Sequence, residues 1–314
     1  MSYLARRVIA LLITLWLVSL VTFLLLQVIP GDPAQLILGT EAPPEALETL
    51  RVQLGLDRPW PVRYLDWLRG VLRGDMGVSL RQERPVVSLI AERLPVTISL
   101  TSLAMLVALA ISLPLGIFAA VRWNSPLDYA TLVFSQVGIA VPSFWAGILL
   151  ILVFSLFLRL FPTGGYVGWS ESPLQALRHL ALPSLALGMV MAALLTRMTR
   201  ASMLEVLSQS YILTARAKGL KERAVIFRHA LKNALIPVVT VVGLQIGFLM
   251  GGSIVIEYVF ALPGVGRLLL TAIYTRDLPL IQGIVLFVTT VVVVSNFVVD
   301  IIYAYLDPRI SLKR

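Results

Sequence analysis

The chemistry open to this chain is bounded first by what it lacks. It has no cysteine, so thiolate nucleophiles, thiolate metal sites and disulfides are excluded. Its only imidazoles are His179 and His229. Neither sits in an H-E-x-x-H pair, and no G-x-S-x-G elbow or G-x-x-x-x-G-K-[ST] phosphate loop occurs. Metal-assisted hydrolysis, serine acyl transfer and nucleotide binding through a phosphate loop therefore lack their parts. Two kinds of polar residue remain. Residues 211–237 hold Arg216, Lys218, Lys221, Arg223, Arg228 and Lys232 against one acid, Glu222. Such a run can bind lipid headgroups, nucleic acid or a partner protein. The second kind is sparse: Gln136, Gln245, Ser253, Glu257, Asn296 and Asp300, embedded in or at the ends of apolar runs. Polar groups there line a solute path, bond a neighbouring helix, or pair and snorkel near a membrane surface.

The elements that position these residues are long and apolar. The chain is 58% hydrophobic and 14% charged, against roughly 45–50% and about 25% in soluble domains. Residues 8–29 carry no charge over 22 positions, enough to cross a core of about 30 Å at 1.5 Å per residue. A signal peptide would have a shorter apolar region and a small-residue cleavage site. This run ends instead in Pro30-Gly-Asp-Pro33, so an uncleaved span is expected. Further spans are read at 96–121, 129–158, 180–195, 236–256 and 280–306. Pro114 and Pro142 are expected to kink the second and third. Gly243, Gly247 and Gly251 recur every four residues in the fifth, a stripe that permits close approach of another helix, from this chain or a second one.

Between the spans, residues 44–54 read as a short amphipathic helix, and Trp60, Tyr64, Trp67 and Leu68 share one face of the next. Residues 161–179 and 259–279 read as loops. Residues 202–217 read as a helix that Gly219 ends in a left-handed cap, and 221–235 as a second helix before Pro237. Ile212, Leu213 and Ala215 at this turn pack poorly against water and suit a groove on another protein.

Six spans put both termini on one side, and charge selects it. That side carries fourteen basic and five acidic residues; the other carries twelve of each. The net charge of +9 thus lies wholly on one face, the positive-inside pattern, and the termini are read as cytoplasmic. Nothing in the basic face reads as a folded nucleic-acid module, so lipid bilayer rather than nucleic acid is the expected environment. The organisation expected is an N-terminal transmembrane helix (1–30), an extracytoplasmic loop subdomain (31–95), a five-helix core (96–306) with a cytoplasmic loop at 197–235, and a tail (307–314).

Thr214-Ala-Arg-Ala-Lys-Gly219-Leu followed by Arg228-His-Ala-Leu-Lys-Asn-Ala-Leu-Ile-Pro237 resembles the EAA loop of ABC-importer permeases, most closely the dipeptide/oligopeptide branch. Pro30-Gly-Asp-Pro33, Leu54-Gly-Leu-Asp57, Gly74-Asp-Met-Gly-Val-Ser79, Ile256-Glu-Tyr-Val-Phe-Ala-Leu-Pro-Gly-Val-Gly266, Arg276-Asp277 and Asp307-Pro308 are similar to the same branch, so the likeness covers essentially the whole chain. Thr214 stands where the general motif has glutamate, and the gap from Gly219 to Pro237 is long; both departures also look like the peptide branch.

The resemblance implies an all-α fold of six transmembrane helices, like a type I ABC importer permease, in the cytoplasmic (inner) membrane of a prokaryote. It implies that Tyr211, Thr214, Ala215, Arg216, Ala217, Lys218, Gly219 and His229 form a coupling turn docked on an ATPase. The partners it implies are two cytoplasmic ATP-binding subunits holding ATP and Mg, a homologous second permease and an extracytoplasmic solute-binding protein. No cofactor or metal is expected in this chain, and no enzymatic site. Short peptides lead as solute, with nickel complexes, glutathione and sugars also handled by similar permeases. A stand-alone transporter driven by an ion gradient is the alternative; it predicts intramembrane charge pairs and inverted repeats, neither clear here.

Overall fold

Long uncharged stretches have no competing way to satisfy their backbone in lipid, so they form helices. The computed structural model describes residues 3–28, 35, 42–53 and 57–306. The Pro30-Gly-Asp-Pro33 stretch, Leu54-Gly-Leu and residues 307–314 lie outside them. Among the described residues regular structure is helical, apart from one isolated bridge between Val78 and Pro85. Five helices are long and apolar enough to cross a membrane, and a sixth crossing results if a bent pair counts as one span. The helices are α1 (Tyr3–Val28), α2 (Pro44–Gln53), α3 (Trp60–Leu72), α4 (Val86–Val121), α5 (Pro126–Ala140) and α6 (Ser143–Leu150, prolonged by a π-helical Ile151–Phe157). There follow α7 (Pro173–Leu207), α8 (Ser210–Ala217), α9 (Glu222–Val259), α10 (Val265–Tyr274) and α11 (Leu278–Leu306).

Contacts divide the chain into two units, Met1–Pro95 with Gly264–Val294, and Val96–Pro263 with Ser295–Arg314. In the first, the aromatic face of α3 packs on α1. Phe23 lies 5.4 Å from the Tyr64 ring and 6.2 Å from Trp67, and Ser19 Oγ hydrogen-bonds Tyr64 OH at 2.8 Å. Trp60 stays exposed. Val86, Leu89 and Ile90 bury against Val265, Leu268, Ala272, Leu280 and Ile284. The Gly74–Ser79 stretch is a tight turn, with Gly74 and Gly77 at positive φ and Gly77 N–H donating to Asp75 Oδ1 at 2.8 Å. It closes on Asp277, a carboxylate 1% exposed. Ser79 Oγ and the Arg81 N–H donate to its Oδ2; the Leu80 and Leu280 N–H groups donate to its Oδ1. Asp277 thus caps α11 and anchors a turn 198 residues away.

In the second unit α7 is the most buried helix. Leu180, Leu187, Met191 and Leu195 join Leu100, Ala104, Ala108, Leu249, Ile256 and Phe260 in one core. Small residues set the spacing: a Cβ on Gly188 would lie 2.6 Å from the Ala104 carbonyl oxygen, and one on Gly116 2.6 Å from Thr199 Cβ.

Several sequence expectations are corrected. The second apolar helix starts at Val86, not at 96, and runs on through Pro95. The third span is not one kinked helix: α5 and α6 meet at 102°. Pro142 offers no N–H to α5 and drives Val141 into extended backbone, φ −84 and ψ 121. The 161–179 loop ends at 172, because Ser172 accepts the Gln175 N–H and Pro173 starts α7. The 259–279 loop contains α10, whose Val265, Leu268 and Ala272 are buried. The 202–217 helix breaks at Ser208 and Gln209, where the Ser208 hydroxyl turns back to the Glu205 carbonyl. The helix after the turn and the fifth span form one 38-residue rod, with Pro237 inside it.

Candidate functional site

The basic turn is built from α8 and the first two turns of α9. Gln209, extended at ψ 147, starts α8. Gly219 ends it at φ +76, its N–H bonding the Arg216 carbonyl and the Leu220 N–H reaching back to Ala215 at 3.4 Å. That is the Schellman pattern, which satisfies carbonyls the helix end leaves open. A Cβ at Gly219 would meet nothing within 4 Å among the described residues, so it is the backbone conformation that favours glycine. The guanidinium of Arg216 then spans the turn to Glu222, Nε to Oε2 at 3.2 Å and Nη2 to Oε1 at 2.7 Å. This hydrogen bond holds the Glu222 carboxyl below its ordinary value and raises the arginine.

A second brace lies on the other side. Asn233 Nδ2 donates to Tyr211 OH at 2.7 Å and to the His229 carbonyl at 3.3 Å, so two of the expected coupling residues meet on Asn233. The α9 backbone there is π-helical over Val225–Ala230, a widening common at functional sites. Asn233 lies inside the quoted motif, but nothing in its spacing marks it as a brace.

The expectation that Ile212, Leu213 and Ala215 together offer an apolar face outward is corrected. Ile212 is fully buried and Ala215 8% exposed, packed against Met203, Val225, Ile226 and Ala230. Their period along α8 turns them to the chain's own core. Leu213 alone of the three remains outward, at 57% exposure, joined by Leu220 and Phe227. Tyr211, Thr214, Arg216, Ala217, Lys218 and Gly219 are exposed and His229 is half-buried. The result is a braced helical knob whose outer face mixes apolar and cationic groups.

The polar residues of the spans differ in burial and in partners. Ser253 and Glu257 sink into the core of their unit: Ser253 Oγ donates to the Met250 carbonyl at 2.9 Å, and Thr97 Oγ1 donates to Glu257 Oε1 at 2.6 Å. Gln136 is exposed on α5; Gln245 and Asp300 are half-buried. Asn296 is half-buried, and its Oδ1 has no hydrogen-bond partner among the described residues. Of the glycine stripe, Gly243 lies against Val299 of α11, Gly247 is half-buried, and Gly251 faces open space. His179 donates from Nδ1 to the Gly164 and Gly165 carbonyls at 3.2 and 3.1 Å, which orders the preceding loop.

One pair was invisible as a pair. Arg200 of α7 makes a two-pronged ion pair with Asp128 at the start of α5, Nε to Oδ1 and Nη2 to Oδ2 at 2.8 Å. In sequence each was only a charge at the end of an apolar run.

Five helices of membrane length, or six crossings if the bent pair counts as one, together with a braced basic knob, have the makeup of a multi-pass membrane component. Comparison with known proteins makes this specific. The chain matches the family of binding-protein-dependent transport system inner membrane components over residues 112–312, and that family's N-terminal region over 1–101. It is 46% identical over 305 residues to a Brucella suis biovar 1 protein described provisionally as a peptide transport system permease, covering 97% of each chain. It is 43% identical over 313 residues to the glutathione transport system permease of Escherichia coli strain K12, covering both chains fully. A crystal structure of an amino acid ABC transporter with histidines aligns at TM-score 0.50 and 16% identity, over 69% of this chain and 94% of that one; this likeness concerns fold alone. The chain belongs to the binding-protein-dependent inner membrane component family, as an ABC transporter permease of the peptide group.

Proposed function

We propose that this chain is the transmembrane permease subunit of an ATP-driven importer for short peptides or a related small solute such as glutathione. It crosses the cytoplasmic membrane six times, α5 and α6 together making the third crossing, with both termini in the cytosol. ATP and Mg are held by two ATPase subunits, not by this chain. A homologous permease completes the path and an external binding protein delivers the solute. Tyr211, Thr214, Arg216, Ala217, Lys218 and Gly219 dock on the ATPase, with Ala215 and His229 holding the knob in shape. Gln136, Gln245, Ser253, Glu257, Asn296 and Asp300 are the candidates for the path.

The observation that carries this reading is the knob itself. It is held rigid from both sides and still exposes Leu213 among cations, as a lever seated on another protein requires. The names of the relatives support the substrate class. In proteoliposomes, the complex purified from its own membranes should take up labelled glutathione or trialanine with ATP and not with an ion gradient alone. Leu213→Asp should abolish co-purification of the ATPase, since its side chain is exposed and its loss spares the fold. Because the chain has no cysteine, a single Lys218→Cys should react with an impermeant thiol reagent only from the cytosolic side. Labelling from outside, or uptake driven by an ion gradient, overturns the reading.

A further inference from the structure

The ion pair between buried Asp128 and half-buried Arg200 belongs to none of the groups discussed for coupling or for the path. Asp128 is 1% exposed and the Arg200 side chain 16%. Asp128 is also fixed from behind: its Oδ2 accepts the Asn124 N–H at 3.1 Å, and its own N–H donates to Ser125 Oγ at 3.3 Å. The carboxylate is thus tied to the backbone at the start of α5 as well as to Arg200. The same face of α5 continues along α7. Thr131 and Ser135 are buried, and Gly138 comes so close that a Cβ there would lie 2.6 Å from Ala193 Cβ. Helix α5 is thus pinned to α7 at a charged end and at a close-packed end, ten residues apart in sequence. Helix α7 ends at Leu207, and only Ser208 and Gln209 separate it from α8.

We infer that Asp128 and Arg200 are positioning residues that transmit movement of the basic knob to α5, and so to the face of α5 that carries Gln136. The inference rests on the transport reading above. A planar guanidinium on a carboxylate resists sliding and rotation alike, because two parallel bonds fix both distance and angle. The carboxylate side of the pair is buried, so the two bonds are screened by water and salt less than those of an exposed pair. Packing at Thr131, Ser135 and Gly138 holds the two helices together; the ion pair adds a link of fixed distance and angle at the start of α5.

The test is the number of solute molecules moved per ATP hydrolysed by the whole complex in proteoliposomes, with trialanine and glutathione as probes. Asp128→Asn and Arg200→Gln should lower that ratio about fivefold, the order of effect one contact in a coupling network carries, while ATP hydrolysis continues. The Asp128→Asn and Arg200→Gln changes combined should cost no more than either alone, since both remove the same link. Arg200→Lys keeps the buried charge balanced but loses the fork, and should fall between. A merely structural role would reduce the amount of assembled complex and leave the ratio untouched. Should the single neutral variants fail to assemble, the Arg200→Lys complex decides. An unchanged ratio in any assembled variant, with the unmodified complex transporting, overturns the inference. Absence of uptake by the unmodified complex overturns the transport reading instead.

Discussion

Arg216 and Glu222 clasp the basic knob from either side of Gly219, with two hydrogen bonds of 3.2 and 2.7 Å. Both side chains are more than a third exposed, so water screens the pair and its worth is under about 1 kcal/mol. Its effect is therefore on local order and not on global stability. Glu222→Gln should leave the thermal midpoint unchanged and raise the rate of tryptic cleavage after Lys218 and Lys221. The pH dependence has a definite sign. The folded carboxyl lies below its ordinary value, so the clasp is fully present above that value and is lost as pH falls through the lowered one. Cleavage by an acid-tolerant protease within 218–222 should rise only there.

Gly219 tests the backbone. A Cβ at this position would have no neighbour within 4 Å among the described residues, so Gly219→Ala meets no clash there, and its cost of about 1 kcal/mol comes from the left-handed φ. Gly219→Asn should be the mildest replacement, because asparagine tolerates that region. Hydrogen exchange at the Ala215 and Arg216 turn should rise for alanine and much less for asparagine.

Gly243 and Gly251 share a stripe but not a fate. Gly243 lies against Val299, so Gly243→Val overpacks the α9–α11 contact and should cost about 1–3 kcal/mol. Trimming the opposing side chain, Val299→Ala, should recover part of it. A Cβ on Gly251 would meet nothing within 4 Å among the described residues, and Gly251→Ala should leave the melting temperature of the detergent-purified protein where it is. A drop for Gly251→Ala in the assembled complex only would place a second protein on that side.

Asp277 gathers four donors on two oxygens. Asp277→Ala removes the α11 cap and strands buried donors at Ser79 and Leu280, for a loss of about 2 kcal/mol or more. Asp277→Asn keeps one acceptor oxygen and should lose less. Ser79→Ala deletes a single bond and should cost about 1 kcal/mol. Thermal unfolding in detergent ranks the three; equal losses for all would deny that the carboxylate is the hub.

What could be read from the residues alone was what depends on neighbours along the chain. The apolar lengths, the α2 and α3 helices, and Gly219 as a left-handed terminator follow from local backbone chemistry, and the family likeness follows from motifs such as Thr214–Leu220. Where long-range packing competes, local reading failed. Helix α4 runs through Pro95 and α9 through Pro237, with buried residues on both sides of each proline: Ile90 and Val96 in one, Ala234 and Val238 in the other. The third span breaks at Pro142, which looked no different in sequence from Pro114. Ile212 and Ala215 turned inward because Met203 of α7 and Val225 of α9, on the two neighbouring helices, pack over them. Above all, the pairings Arg200 with Asp128, Ser79 with Asp277 and Thr97 with Glu257 were decided only in three dimensions. A charge or hydroxyl carries no local sign of its partner, and these partners lie 72 to 198 residues apart.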